Sequence, residues 1–219
     1  MIELNYFDCR GRIQAIRNFL NQRDIPFVDN RVSVNDGFQE WSLKSQDQDF
    51  CGKLGLLPTL RLHKDAALIS ETLVMAFELE PNMSLDERML ISSVYDDVIE
   101  NVGLLIWVDF AFPGADVKAS MQIMFDRMMR LFNHHEHSSL LNDNGERFFS
   151  LAQHFMGESL DSMRYVFGAA FEKALELRPR LNDFDKRYSE WLTRVKRPSQ
   201  FTGRPNEPEA PCFSVHLAG

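Results

Sequence analysis

Asn5-Tyr6-Phe7-Asp8-Cys9-Arg10-Gly11-Arg12 is the stretch from which the fold is read. Leu4, Tyr6 and Phe7 make a short strand, and Gly11 is a turn residue that tolerates unusual backbone angles. Beyond Arg12, the residues Ile13, Ile16, Phe19 and Leu20 recur at helical spacing, so a helix begins just past the turn. A tyrosine at a strand end, beside a helix N-terminus and two arginines, can hold an anion. Its O–H donates a hydrogen bond, while Arg12 and the free N–H groups of the helix supply positive potential. On these residues alone a second reading stands beside that one: Tyr6 packs under the helix and the arginines are solvated.

Working outward, Pro26 breaks the helix and residues 27–34 alternate apolar and polar, a second strand beside the first. Strand, helix, strand implies a parallel pair. Residues 37–50 are a mixed loop with short helical turns near Phe38 and Trp41. Residues 55–62 and 66–69 then read as an antiparallel hairpin, and Ser70 as the N-cap of a helix carrying Leu73, Met75, Ala76 and Leu79 inward. Residues 80–84 look like a linker. All that follows is helical in pattern: 85–112, 117–132, 146–155, 160–177 ended by Pro179, and 182–195, before a proline-rich tail over 198–211. No internal repeat is visible. The expected architecture is an α/β domain over 1–80 and an all-helical domain with an irregular tail over 85–219.

A chain of 219 residues that is 44% hydrophobic and 26% charged has the composition of a soluble globular protein. Its net charge of −8 argues against a nucleic-acid or anionic-membrane binder, which needs a basic surface. No run approaches the ~20 apolar residues of a membrane span. The N-terminus reads as a strand containing Glu3 rather than a secretion signal. Three cysteines without paired spacing suit a reducing compartment, so a cytosolic location is expected.

The element order and the stretch from Tyr6 to Arg12 resemble the cytosolic glutathione transferases of the tyrosine type (alpha, mu, pi and sigma), with sigma closest. Ser42-Leu43-Lys44, Leu57-Pro58 and Glu71-Thr72 extend the resemblance in order along the chain. It implies a thioredoxin-like N-terminal domain (β-α-β-α-β-β-α), a helical bundle, and a homodimer. It also implies glutathione as co-substrate without a further cofactor or metal, and a small apolar electrophile as second substrate. In that frame Tyr6 donates to the glutathione thiolate and Arg12 is the nearby cation, since such neighbours draw a thiol's ionisation from about pH 8.5 toward neutrality. Leu57, before a cis Pro58, pairs its backbone with the ligand cysteine. Glu71 and Thr72 hold the γ-glutamyl end at a helix N-terminus. Lys44 pairs with the glycine carboxylate, with Trp41 or Phe38 covering that end. Asp96 resembles an acid that in some classes reaches the ligand amino group across the dimer; as a plain residue it is a solvated helix acid. Phe7 and Cys9, with residues of the long helix between Ile99 and Trp107, are candidates for the electrophile pocket in a groove with the helical domain.

Two departures weaken the site in this frame. Phe38 stands where the family has an indole donor, and Leu56 where a glutamine is usual. Cys9 opens an alternative, because other classes carry a catalytic cysteine there; a glutaredoxin-like thiol transferase would use it through a mixed disulfide. A relative that binds glutathione without catalysis is the third reading. Arg10 is expected to be a surface or interface residue rather than a ligand. His134-His135-Glu136-His137 lacks ligand spacing for a metal and reads as a solvated helix end. The methionines between Met121 and Met129 read as core. Ser159, with Ser162 in place of an acid three residues on, reads as a weak helix cap.

Overall fold

The computed structural model describes residues 1–33, 38–111, 118–142 and 148–195; the side chains of 106–111, 118 and 119 are outside that description, as is the expected tail over 198–211. The chain divides into two compact units, Met1–Leu85 and a second beginning at Asp86.

In the first unit, β1 (Ile2–Phe7) leads through a 3-10 turn (Gly11–Ile13) to α1 (Gln14–Gln22) and β2 (Phe27–Val32). Two short helices follow, α2 (Gln39–Lys44) and α3 (Gln48–Cys51), then β3 (Thr59–Arg61), β4 (Ile69–Ser70) and α4 (Thr72–Leu79). The sheet order is β2-β1-β3-β4. β1 runs parallel to β2 with Tyr6 opposite Arg31, while β3 is antiparallel to both β1 and β4. This is the thioredoxin-like arrangement. As the central strand, β1 is covered on both faces, so Leu4, Asn5 and Tyr6 are all buried. Burial of Asn5 requires partners for its amide. It donates to the Phe50 carbonyl (2.9 Å) and Thr59 Oγ1 (3.0 Å), and accepts from Asn30 (2.8 Å). One side chain thus ties the central strand to both its neighbours and to α3.

α1 is buried along residues 14–20, which draws Gln14, Arg17 and Asn18 inside with Ile16 and Leu20. Gln14 Nε2 donates to Asn18 Oδ1 at 2.8 Å, one turn on. The hairpin strands are shorter than the pattern over 55–62 and 66–69 implies. Gly52 and Gly55 adopt positive φ (72° and 63°), so the chain is still turning there and enters the sheet only at Thr59. Ser70 does not cap α4, because it pairs in the ladder opposite Thr59; Glu71 is the cap residue instead.

In the second unit, α5 (Leu85–Val94) passes through a π-helical turn (Tyr95–Ile99) into α6 (Glu100–Ala111). The continuous helix expected over 85–112 is therefore interrupted by one wide turn, whose loosened carbonyls at Asp96 and Asp97 are collected by the Asn101 amide at 2.9 and 3.1 Å. α7 (Lys118–His135) lays Met121, Phe125, Met128 and Phe132 into the core, as its methionine stripe implied. Phe125 meets Phe167 edge-on at 5.0 Å, and Phe132 meets Phe171 at 6.0 Å.

The two helices expected over 146–155 and 160–177 form one, α8 (Leu151–Glu176), with α9 (Pro179–Leu192) after it. Ser159 is not a cap: it lies mid-helix, and its hydroxyl donates back to the Phe155 carbonyl at 2.8 Å. The cap is Ser150, whose Oγ accepts from the Gln153 N–H while the Gln153 side chain accepts from the Ser150 N–H. The break in α8 falls at Gly168 (φ 47°, ψ −125°). Gly157 stays helical and bare because the Tyr188 ring of α9 occupies the space a Cβ would need, 2.3 Å away. Pro179 opens α9 as its first residue, where its missing N–H costs nothing, so α9 starts three residues earlier than the pattern suggested.

The His134–His137 segment is not simply a solvated end. His134 and His137 are exposed, but His135 and Glu136 are buried. The Glu136 carboxylate accepts from the Arg180 and Leu181 N–H groups, both at 2.9 Å, and so caps α9 from the turn just past α7. No group of residues suited to a metal ion occurs among the described residues. No described helix is long and apolar enough to cross a membrane.

Candidate functional site

Tyr6 is the last buried residue of β1, and its hydroxyl stands over the turn that follows. The Arg12 N–H donates to the Tyr6 oxygen at 3.4 Å. What Arg12 contributes there is a backbone group at the start of the helix, while its side chain is exposed. A hydroxyl that already accepts a hydrogen bond donates its own proton more strongly. Gly11 makes this approach possible. It sits at φ +42°, and a Cβ there would lie 2.6 Å from the Tyr6 oxygen. Arg10, expected at the surface or an interface, is 6% exposed within the chain: the tight turn folds it inward.

An aromatic train leads away from Tyr6. Phe7 lies 5.4 Å from Tyr6, and its ring also meets Trp41 at 5.4 Å and Phe38 at 6.1 Å, all edge-to-face. Phe38 holds a left-handed conformation (φ 64°) as the residue that opens α2. The three aromatic residues Phe7, Phe38 and Trp41 are therefore brought together. Lys44 is not directed at open space: its ammonium lies 4.7 Å from the Phe50 ring centre, a cation–π contact. Cys9 is 1% exposed.

On the other side of the sheet's end, the Leu57–Pro58 peptide is cis, as the resemblance implies. Leu56 is exposed and Leu57 half-buried. Glu71 is exposed at φ 74°, ψ 118°, a conformation costly for a residue with a side chain and concentrated at functional sites. Next to it Thr72, the first residue of α4, is 1% exposed. Tyr6, Gly11, Phe38, Leu57, Pro58, Glu71 and Thr72 all belong to the first unit, at strand ends or helix starts. Asp96 belongs to the second unit and is exposed on the π-helical turn.

Two buried polar residues of the first unit, Asn5 and Arg17, did not signal themselves in the sequence. Asn5 was read only as part of a strand. Arg17 is 1% exposed, and burial opposes its charge, lowering its pKa against the pull of Asp29. It donates to the Cys9 carbonyl (2.6 Å), the Phe7 carbonyl (3.2 Å) and Asp29 Oδ1 (3.1 Å). Its position after Ile16 was a polar residue at a helical period where nothing marked it as interior.

No protein-family profile matches the chain, and no curated protein matches it by sequence. Solved structures do. The chain superposes on the Fasciola hepatica sigma-class GST with a TM-score of 0.62 at 21% identity, covering 90% of this chain and 98% of that one. For the Onchocerca volvulus pi-class glutathione S-transferase the values are 0.60 and 21%, over 93% and 99%. For the glutathione S-transferase from Ascaris lumbricoides they are 0.61 and 19%, over 90% and 99%. The chain therefore has the fold of the cytosolic glutathione S-transferases.

Proposed function

We propose that this chain is a glutathione transferase of the tyrosine type, in which the Tyr6 O–H donates to the glutathione sulfur and holds it as thiolate. The proton leaves to solvent, the sulfur attacks an apolar electrophile, and the leaving group departs with the electron pair of the broken bond. The observation that carries this reading is the Tyr6 hydroxyl poised over Gly11 with its oxygen accepting the Arg12 N–H. The supporting frame is the fold, the exposed positive-φ Glu71 beside Thr72 for the γ-glutamyl end, and Leu57 for the ligand backbone. Phe7, Phe38 and Trp41 would cover the rest of the ligand, with Lys44 leaving Phe50 to meet its carboxylate. We extend the reading to a cytosolic homodimer. The location rests on the three cysteines without paired spacing, of which Cys9 and Cys51 are in no disulfide. The dimer rests on resemblance alone.

Turnover of glutathione with 1-chloro-2,4-dinitrobenzene tests it. Tyr6→Phe is expected to lower kcat/KM by about 10²-fold, the usual effect of removing one donor to a developing anion. Cys9→Ser is expected to leave most of the activity, because a thiol 1% exposed is poorly placed to form a mixed disulfide. The opposite pattern, loss with Cys9→Ser and not with Tyr6→Phe, would replace this reading with thiol–disulfide exchange. Binding to immobilised glutathione without any conjugation would leave a binding protein.

A further inference from the structure

We propose that Arg17, braced by Asp29 and Arg31, is a positioning residue for the Tyr6 site: its buried guanidinium holds the main chain of residues 7–9 and so sets where the Tyr6 hydroxyl stands. The proposal rests on the glutathione reading above and adds a residue to it.

After Phe7 the chain leaves the sheet, with the Asp8 N–H to the Val32 carbonyl (2.9 Å) as a further main-chain bond to the β2 side. Two of the next carbonyls are then taken by one side chain. Arg17 Nη2 donates to Phe7 and Nη1 to Cys9, while Nε donates to Asp29. A rigid planar fork can serve three acceptors in a fixed geometry, which an ammonium cannot do. Asp29 is shared: its Oδ1 takes Arg17 and its Oδ2 takes Arg31, at 2.8 Å from Nε and 2.7 Å from Nη2. Arg31 Nη1 then donates to Asp8 Oδ1 at 2.9 Å. Residues 7, 8 and 9 are thus each fastened to a single chain of charges, Arg17–Asp29–Arg31, that spans α1 and β2.

A buried cation needs compensation that a smaller apolar residue would not, so its retention here asks for a use beyond filling space. Its placement supplies one. The guanidinium lies 6.0 Å from the centre of the Tyr6 ring. The segment it holds joins Tyr6 to Gly11 and Arg12, whose N–H bond to the Tyr6 oxygen is already long at 3.4 Å. A small shift of residues 7–9 would break that bond, and a cation near the ring favours the negative charge that Tyr6 shares with a thiolate. The charged groups around the segment are Asp8, Arg10 and Arg12 of the turn, Arg17 of α1, and Asp29 and Arg31 of β2. Removing Arg17 leaves Asp29 with Arg31 alone.

The experiment measures the ultraviolet thiolate band of bound glutathione against pH, with glutathione Kd and thermal midpoint, in wild type, Arg17→Met, Arg17→Lys and Asp29→Asn. Asp29→Asn keeps the guanidinium and loosens its brace, so the question stays answerable if Arg17→Met does not fold. The thiol midpoint is expected to rise by about one pH unit in Arg17→Met and Asp29→Asn, with kcat/KM down about tenfold at pH 6.5 and Kd changed less than about threefold. Arg17→Lys, which keeps charge without the fork, is expected to fall between them and wild type. An unchanged midpoint in the folded variants, or activity lost only in proportion to unfolded protein, overturns the proposal while leaving the glutathione reading intact. Absence of a thiolate band in wild type overturns both.

Discussion

Single atoms at two glycines decide two close contacts. At Gly11 an added methyl would be 2.6 Å from the Tyr6 oxygen, on a backbone already at φ +42°. Gly11→Ala is therefore expected to displace the hydroxyl and lower conjugation by about 10²-fold, in line with the cost of misplacing a reacting group. Steady-state rates at fixed glutathione check it, and wild-type rates would sink the idea that the approach is tight. At Gly157 the added methyl would enter the Tyr188 ring at 2.3 Å. That ring is also held by polar contacts, His154 Nδ1 at 3.2 Å and Glu158 Oε1 at 3.4 Å, so it cannot swing aside freely. Gly157→Ala is expected to cost about 1–3 kcal/mol in urea unfolding, the range for overpacking a core. Gly11 announced itself as a turn. Gly157 did not, because the reason for it lies 31 residues further on, in another helix.

Helix ends decide the stability of the second unit's α9. Its first residues are Pro179, Arg180 and Leu181, and the Glu136 carboxylate satisfies the last two. Glu136→Ala is expected to lower stability by about 2 kcal/mol, as two N–H groups lose their partner, and Glu136→Gln by less since one acceptor remains. Equal losses for the two variants would contradict the capping role. Nearby, the Ser93 hydroxyl lies 3.0 Å from the Leu90 carbonyl and 3.0 Å from His135 Nε2. Burial first, and then the neighbouring His134, press the His135 pKa from 6.5 down to about 4. The unfolded chain takes up this proton below about pH 6.5 and the folded chain only near 4. The contribution is thus complete above 6.5 and lost as the pH falls between those values. His135→Gln is expected to flatten that part of the stability profile; an unchanged slope would refute it. A local pattern of adjacent histidines gave no hint of this, since both partners, Ser93 and α9, are distant in sequence.

For the whole molecule the proposed function makes a thermodynamic demand. Glutathione at 100 times its Kd is expected to add about 2.7 kcal/mol to the stability of the folded protein and raise its thermal midpoint by several degrees. The same shift should be absent with a glutathione analogue lacking the γ-glutamyl group, if Glu71 and Thr72 hold that end. A shift of equal size with both would argue against their role. Much of the architecture could be read directly: apolar spacing marked β1, α1, the methionine face of α7 and the order of elements, because periodicity is a local property of the chain. Gly11 was legible as a turn residue for the same reason, whereas the cis Pro58 followed from the resemblance. What the sequence by itself determined was thus which segments form strands and helices and which residue types meet at the strand ends. Only the tertiary structure decided that Arg17 is buried beneath the turn, that Asn5 joins three strands, that Glu136 caps a distant helix and that α8 runs unbroken through Ser159. Those outcomes depend on which hydrogen-bonding groups fold brings within about 3 Å of one another, and burial then compels each polar group to find such a partner.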